Sequence, residues 1–97
     1  MFVEASNLLD CGKEGKAFHL FLRAAQLGHS HAQHNVGLLL ELGTGTKVDK
    51  PAAIGWYVRS WRRNPQLSTA ENLSLLYAEL GKHERARFWK RRADGLK

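Results

Sequence analysis

Glycine recurs at positions 12, 28, 43, 81 and 95, and each time it closes a stretch in which apolar residues return every three or four places. A helix that ends in a left-handed turn needs a residue without a Cβ there, so the pattern reads as a series of helix C-termini. Asn64-Pro65 closes the one stretch that lacks such a glycine. Start signals stand opposite these stops. Ser30 with Gln33 and Ser68 with Glu71 have the spacing of capping boxes, and Asp49 two places before Pro51 sets a cap acceptor ahead of a first-turn proline. These marks predict six helices, over about residues 2–11, 14–27, 30–42, 50–63, 68–80 and 83–94. Apart from short ambiguous stretches such as 36–42, nothing alternates with the period of a strand, so the fold class is all-α.

Short helices in even number suggest stacked hairpins, and the hairpins resemble one another. In the first helix of each pair a small residue precedes a large one by three positions: Ala5 and Leu8, Gly37 and Leu40, Ser74 and Tyr77. In the second helix an alanine precedes a large apolar residue by three or four: Ala17 with Leu20 and Phe21, Ala53 with Trp56 and Tyr57, Ala86 with Trp89. From Ala17 to Ala53 is 36 residues and from Ala53 to Ala86 is 33, the period of a two-helix repeat. A chain of 97 residues, 43% hydrophobic and 25% charged, has room for one such domain. Its hairpins fall at about 1–28, 29–65 and 66–97, three being close to the fewest that bury a continuous core. The middle hairpin alone has a long connection, ten residues from Gly43 to Ala53 against five from Gly12 to Ala17 and from Gly81 to Ala86.

The stretch from Ala32 to Tyr57, with Gly37-Leu38, Gly43-Thr44-Gly45, Asp49, Ala53 and Trp56-Tyr57, resembles a Sel-one-like repeat, a subclass of the tetratricopeptide-type α-hairpin superfamily. Before it, Ala17, Phe21, Ala24-Ala25 and Gly28 are similar to the second helix of such a repeat. Residues 66–95 are similar to the plainer tetratricopeptide form through Leu73, Ser74, Tyr77, Gly81, Ala86 and Ala93, and residues 1–15 resemble a degenerate first helix. Thr46 stands where the family has an apolar residue, and Ser60-Trp61 where it prefers two alanines. Trp61 is too large for a tight helix contact, so the junction between the second and third hairpins should depart from the family. The resemblance implies a right-handed solenoid of helix-turn-helix repeats with no enzymatic activity and no cofactor, binding a peptide or helix of another protein on its concave face.

The residues taken alone exclude most chemistry. Gly43-Thr44-Gly45-Thr46-Lys47 looks like a phosphate loop, but no Gly-Lys-Ser/Thr follows and Val48 stands where a third glycine is needed. His29, His31 and His34 are close, yet no carboxylate or cysteine lies near enough in sequence to complete a metal set. The single Cys11, expected at a helix C-terminus where the dipole raises a thiol pKa, has no base beside it and can form no internal disulfide. Asn72-Leu73-Ser74 matches a glycosylation acceptor but falls inside a predicted helix. No apolar run approaches the roughly 18 residues of a membrane span, so no membrane partner is expected. Met1-Phe2-Val3-Glu4 lacks a basic lead and Glu4 and Asp10 interrupt any apolar segment, so the expected location is cytoplasmic.

Two candidate surfaces remain. Counting −3, +1 and +4 from Gly37 reaches His34, Leu38 and Glu41, and the same steps from Ser74 reach Glu71, Leu75 and Ala78. These are the candidate partner-binding positions, the leucines as apolar anchors and the acids orienting the bound chain. The charge of +6 lies wholly in the second half: residues 1–50 carry five basic and five acidic side chains, residues 51–97 ten and four. Arg59, Arg62 and Arg63 beside Trp56, Tyr57 and Trp61 offer the alternative, a small RNA- or anion-binding protein. Arginines on a last helix also serve a terminal repeat, which must face water, so nucleic acid ranks below a protein partner. Phe2, Val3, Leu8 and Leu9 on a first helix with no repeat before it allow a homo-oligomer.

Overall fold

A computed structural model describes residues 14–97 and shows five helices: α1 (Glu14–Gln26), α2 (Ser30–Leu42), α3 (Lys50–Arg63), α4 (Leu67–Glu79) and α5 (His83–Asp94). Among the described residues there is no strand. The helix expected over 2–11, with Cys11 and Gly12, lies outside the described residues. The architecture is an all-α stack in which neighbours in sequence are neighbours in space: α2 packs on α3 and α4 on α5 as hairpins, with α1 laid on α2 and α4 on α3.

Three of the glycine stops work as the sequence requires. Gly28, Gly43 and Gly81 have φ of 95°, 72° and 76°, and the amides that follow them turn back onto the helix, His29 N–H onto Ala24, Thr44 N–H onto Leu39 and Lys82 N–H onto Tyr77. Gly95 differs: its φ is −68°, and Leu96 N–H continues the turn to the Ala93 carbonyl at 3.0 Å, so a right-handed turn ends α5. Of the start signals, Asp49 caps α3 as expected, its carboxylate accepting from Ala52 N–H at 3.1 Å. The two capping boxes do not form. Helix α2 begins at Ser30 itself, which puts His29 at the cap, and Gln33 is buried and donates instead to the Ala25 carbonyl at 3.1 Å. Helix α4 begins at Leu67, half-buried against the core, which draws Ser68 into the first turn where its hydroxyl cannot cap.

The core runs along the stack as one cluster, from Phe18, Phe21 and Ala24 of α1 through Val36 and Leu40 of α2 to Leu73 and Leu76 of α4. The long connection of the middle hairpin is held against the start of α1: a Cβ on Gly45, itself at φ 75°, would run into the Glu14 carbonyl. That contact ties the middle hairpin to the helix before it.

Candidate protein-interaction surface

Tyr57 is the centre of the middle hairpin. Its ring is fully buried and lies against Gly37, where a Cβ would come within 2.9 Å of two ring carbons. The small residue that the repeat pattern places here is therefore the socket for an aromatic ring of the facing helix. The Tyr57 hydroxyl donates to Glu41 at 2.8 Å. Burial, and then the bond to Glu41, push its pKa far above the ordinary phenol value, so it remains a proton donor at any working pH.

His34 lies on the same side of α2, its ring tilted against Tyr57 with centroids 5.1 Å apart, and its Nδ1 is hydrogen-bonded to the Thr69 hydroxyl of α4 at 2.9 Å. Burial, and after it the charge of His31, lower its pKa. His34 and Glu41 are thus spent inside the stack, one joining α2 to α4 and the other α2 to α3. Leu38, Glu71, Leu75 and Ala78 stay exposed. The candidate positions therefore divide into two structural polar groups and four that are exposed.

The arginines of the second half are also largely engaged. Arg63 Nε donates to the Gly28 carbonyl at 2.6 Å, closing the turn between α1 and α2, and the Arg59 guanidinium lies 4.7 Å above the Trp56 ring. On α5, Arg92 stacks over Phe88 at 5.0 Å. Arg62 is exposed at the end of α3. Trp61 resolves the junction that the sequence left irregular: its ring meets Trp89 of α5 edge to face, centroids 5.3 Å apart and planes at 86°. A pair of rings that interlock at right angles fills the space two alanines would leave. Ser60, the other departure, sends its hydroxyl to the Ser30 carbonyl at 2.8 Å.

Sequence spacing reached one wall of a further surface and missed the other. A groove of about 490 Å³ opens on the outer side of the last hairpin, with Glu71, Leu75 and Ala78 on its α4 wall and Ala86, Arg87 and Lys90 on its α5 wall. It brings together Glu71, Leu75 and Ala78 of the candidate set and leaves out His34, Leu38, Glu41 and the three arginines. The register between hairpins held the signal: Ala86 and Lys90 stand where Ala53 and Tyr57 stand one repeat earlier.

A family model, the Sel1 repeat, matches residues 13–29 and again 30–60. The chain belongs to the Sel1 repeat family. The second Sel1 match starts at the first residue of α2 and ends inside α3, so it covers the hairpin built around Gly37 and Tyr57. Sel1 repeats are generally protein-protein interaction modules and generally non-catalytic. No curated protein and no solved structure matches this Sel1 chain. Among its described residues no group of three or more His, Cys, Asp or Glu is disposed to hold a metal, and no helix is long and apolar enough to cross a membrane.

Proposed function

We propose that this Sel1 chain is a non-enzymatic adaptor that binds a peptide or helix of another protein on the face formed by α2 and α4. One observation carries the reading. Leu38 and Leu75 occupy the same position of successive repeats, 37 residues apart, and are 36% and 63% exposed beside Leu39, Leu40, Leu73 and Leu76, which are buried; Leu42 at the end of α2 is exposed too, but its counterpart 37 residues on is Glu79. Core packing does not use them, while repeated exposed leucines on adjacent first helices give a partner chain two apolar anchors in line.

The test is affinity selection of helical peptides from a displayed library on the immobilised chain, followed by titration against Leu38→Glu. Because the side chain is already exposed, circular dichroism and the urea midpoint should stay near those of the parent. Selected peptides should weaken by about tenfold or more, since a buried unpaired carboxylate replaces an apolar contact. Unchanged affinity with an intact fold overturns the assignment of this face.

A further inference from the structure

The outer groove of the last hairpin can be read against the hairpin before it, whose corresponding side is filled. There, α4 lies on the middle hairpin and is held by two polar links, Thr69 to His34 and Glu79 to Lys50, the last an ion pair of 3.1 Å, while Asn72 stands beside the Tyr57 hydroxyl. Moved one repeat along, 37 residues in the first helix and 33 in the second, His34, Tyr57 and Lys50 become Glu71, Lys90 and His83. All three line the groove. Its floor carries Leu75, Ala78 and Ala86, and where Gly37 accepts the Tyr57 ring, Ser74 instead sends its hydroxyl to the Ala86 carbonyl at 2.9 Å. With lysine in place of tyrosine, no aromatic ring lines the groove.

The walls differ in charge. Glu71 is the acidic group on the α4 side, while Arg87, Lys90 and His83 stand on the α5 side, and Asp94 at the far end is paired with Lys97 at 3.5 Å. A helix lying as α4 lies on α3 would set its Thr69-equivalent toward Glu71, and its Asn72- and Glu79-equivalents, seven apart and so on one face, toward Lys90 and His83.

We propose that this groove takes one amphipathic helix of a partner protein, docked in the place and direction that α4 takes on the middle hairpin, with a basic residue followed at +3 and +10 by acidic ones. The inference rests on the adaptor reading and deepens it, giving the partner's charge pattern and a second surface that shares Glu71, Leu75 and Ala78 with the first. An apolar stripe supplies the area, and the acidic pair supplies the choice of partner and of direction.

The probe is a fluorescein-labelled synthetic peptide of residues 66–80 carrying Thr69→Lys and Asn72→Glu, so that Glu79 completes the pattern. It is titrated by anisotropy against the 97-residue chain at low ionic strength. Binding should be seen below about 1 mM and weaken with salt. It should fall about tenfold or more for the chain with Lys90→Glu, an exposed position whose change leaves the fold intact, and return when the peptide instead carries Asn72→Lys. The proposal is overturned if no binding occurs below about 1 mM, or if Lys90→Glu changes nothing. It is equally overturned if sedimentation shows the chain itself dimerising through this face, with Lys90→Glu abolishing the dimer. Leu38→Glu lies outside the groove, so loss of the adaptor reading and loss of this one give different results.

Discussion

Gly37 and Gly55 both sit inside helices, and replacing each by alanine should move stability in opposite directions. In either helix the change removes backbone freedom from the unfolded chain and gains about 0.5–1 kcal/mol. Gly55 has open space where the Cβ would stand, so Gly55→Ala should show that gain alone. At Gly37 the new methyl would lie 2.9 Å from two Tyr57 ring carbons, where carbon atoms in good contact are about 3.5–4.0 Å apart. The ring has no room to yield, being fully buried and anchored through its hydroxyl to Glu41 at 2.8 Å. Overpacking of this kind costs about 1–3 kcal/mol, so Gly37→Ala should end up destabilised by up to about 2.5 kcal/mol after the helix gain is subtracted. The two variants should then differ in melting temperature by roughly 4–8 °C for each kcal/mol between them. Urea unfolding followed by circular dichroism and by tryptophan fluorescence measures both. In a Tyr57→Leu background, where the ring is gone, Gly37→Ala should cease to be harmful. If both glycines respond alike, the close approach of α2 and α3 is not what Gly37 is for, and the account of the repeat's small residue fails.

Other changes probe the remaining joints. Since burial holds the His34 pKa below the usual 6.5, the unfolded chain binds this proton first; its contribution is complete above 6.5 and is lost as pH falls through that value toward the lower folded one. The urea midpoint should therefore drop as pH falls below the usual histidine value of 6.5, and His34→Gln should flatten that slope. Asp49→Ala removes the cap of α3 and should cost about 1 kcal/mol by thermal melting, with Asp49→Asn losing much less. Trp61→Leu keeps an apolar side chain but removes the edge-to-face contact with Trp89, for a loss of about 1 kcal/mol and a changed near-ultraviolet circular dichroism spectrum.

How far the sequence could be read differs from element to element for physical reasons. Gly28, Gly43, Gly81 and Asp49 announced their turns because a left-handed φ or a cap acceptor is a demand of the local backbone, met by the residue itself. The capping boxes at Ser30 and Ser68 were misleading for the complementary reason. A cap depends on where the helix begins to within one residue, and the burial of Gln33 and Leu67 moved that point. Among the candidate positions, the spacing from Gly37 and Ser74 picks matching places in successive repeats, but register does not distinguish a side chain that faces outward from one that reaches the neighbouring helix. His34 found Thr69, 35 residues away, and Glu41 found Tyr57.

By itself, then, the sequence determined that the described chain is helical, that its helices pair, and that the pairs repeat with a period of 33 to 37 residues, because helix ends and the size of contact residues are written locally. Only the tertiary structure decided which side chains hold the stack together and which are left for a partner. Trp61, an apparent fault in the repeat, became half of a ring pair with Trp89, and Lys90, one charge among many on α5, became the wall of an open groove. Both outcomes depend on what lies across the interface, a fact that belongs to two segments at once and to neither alone.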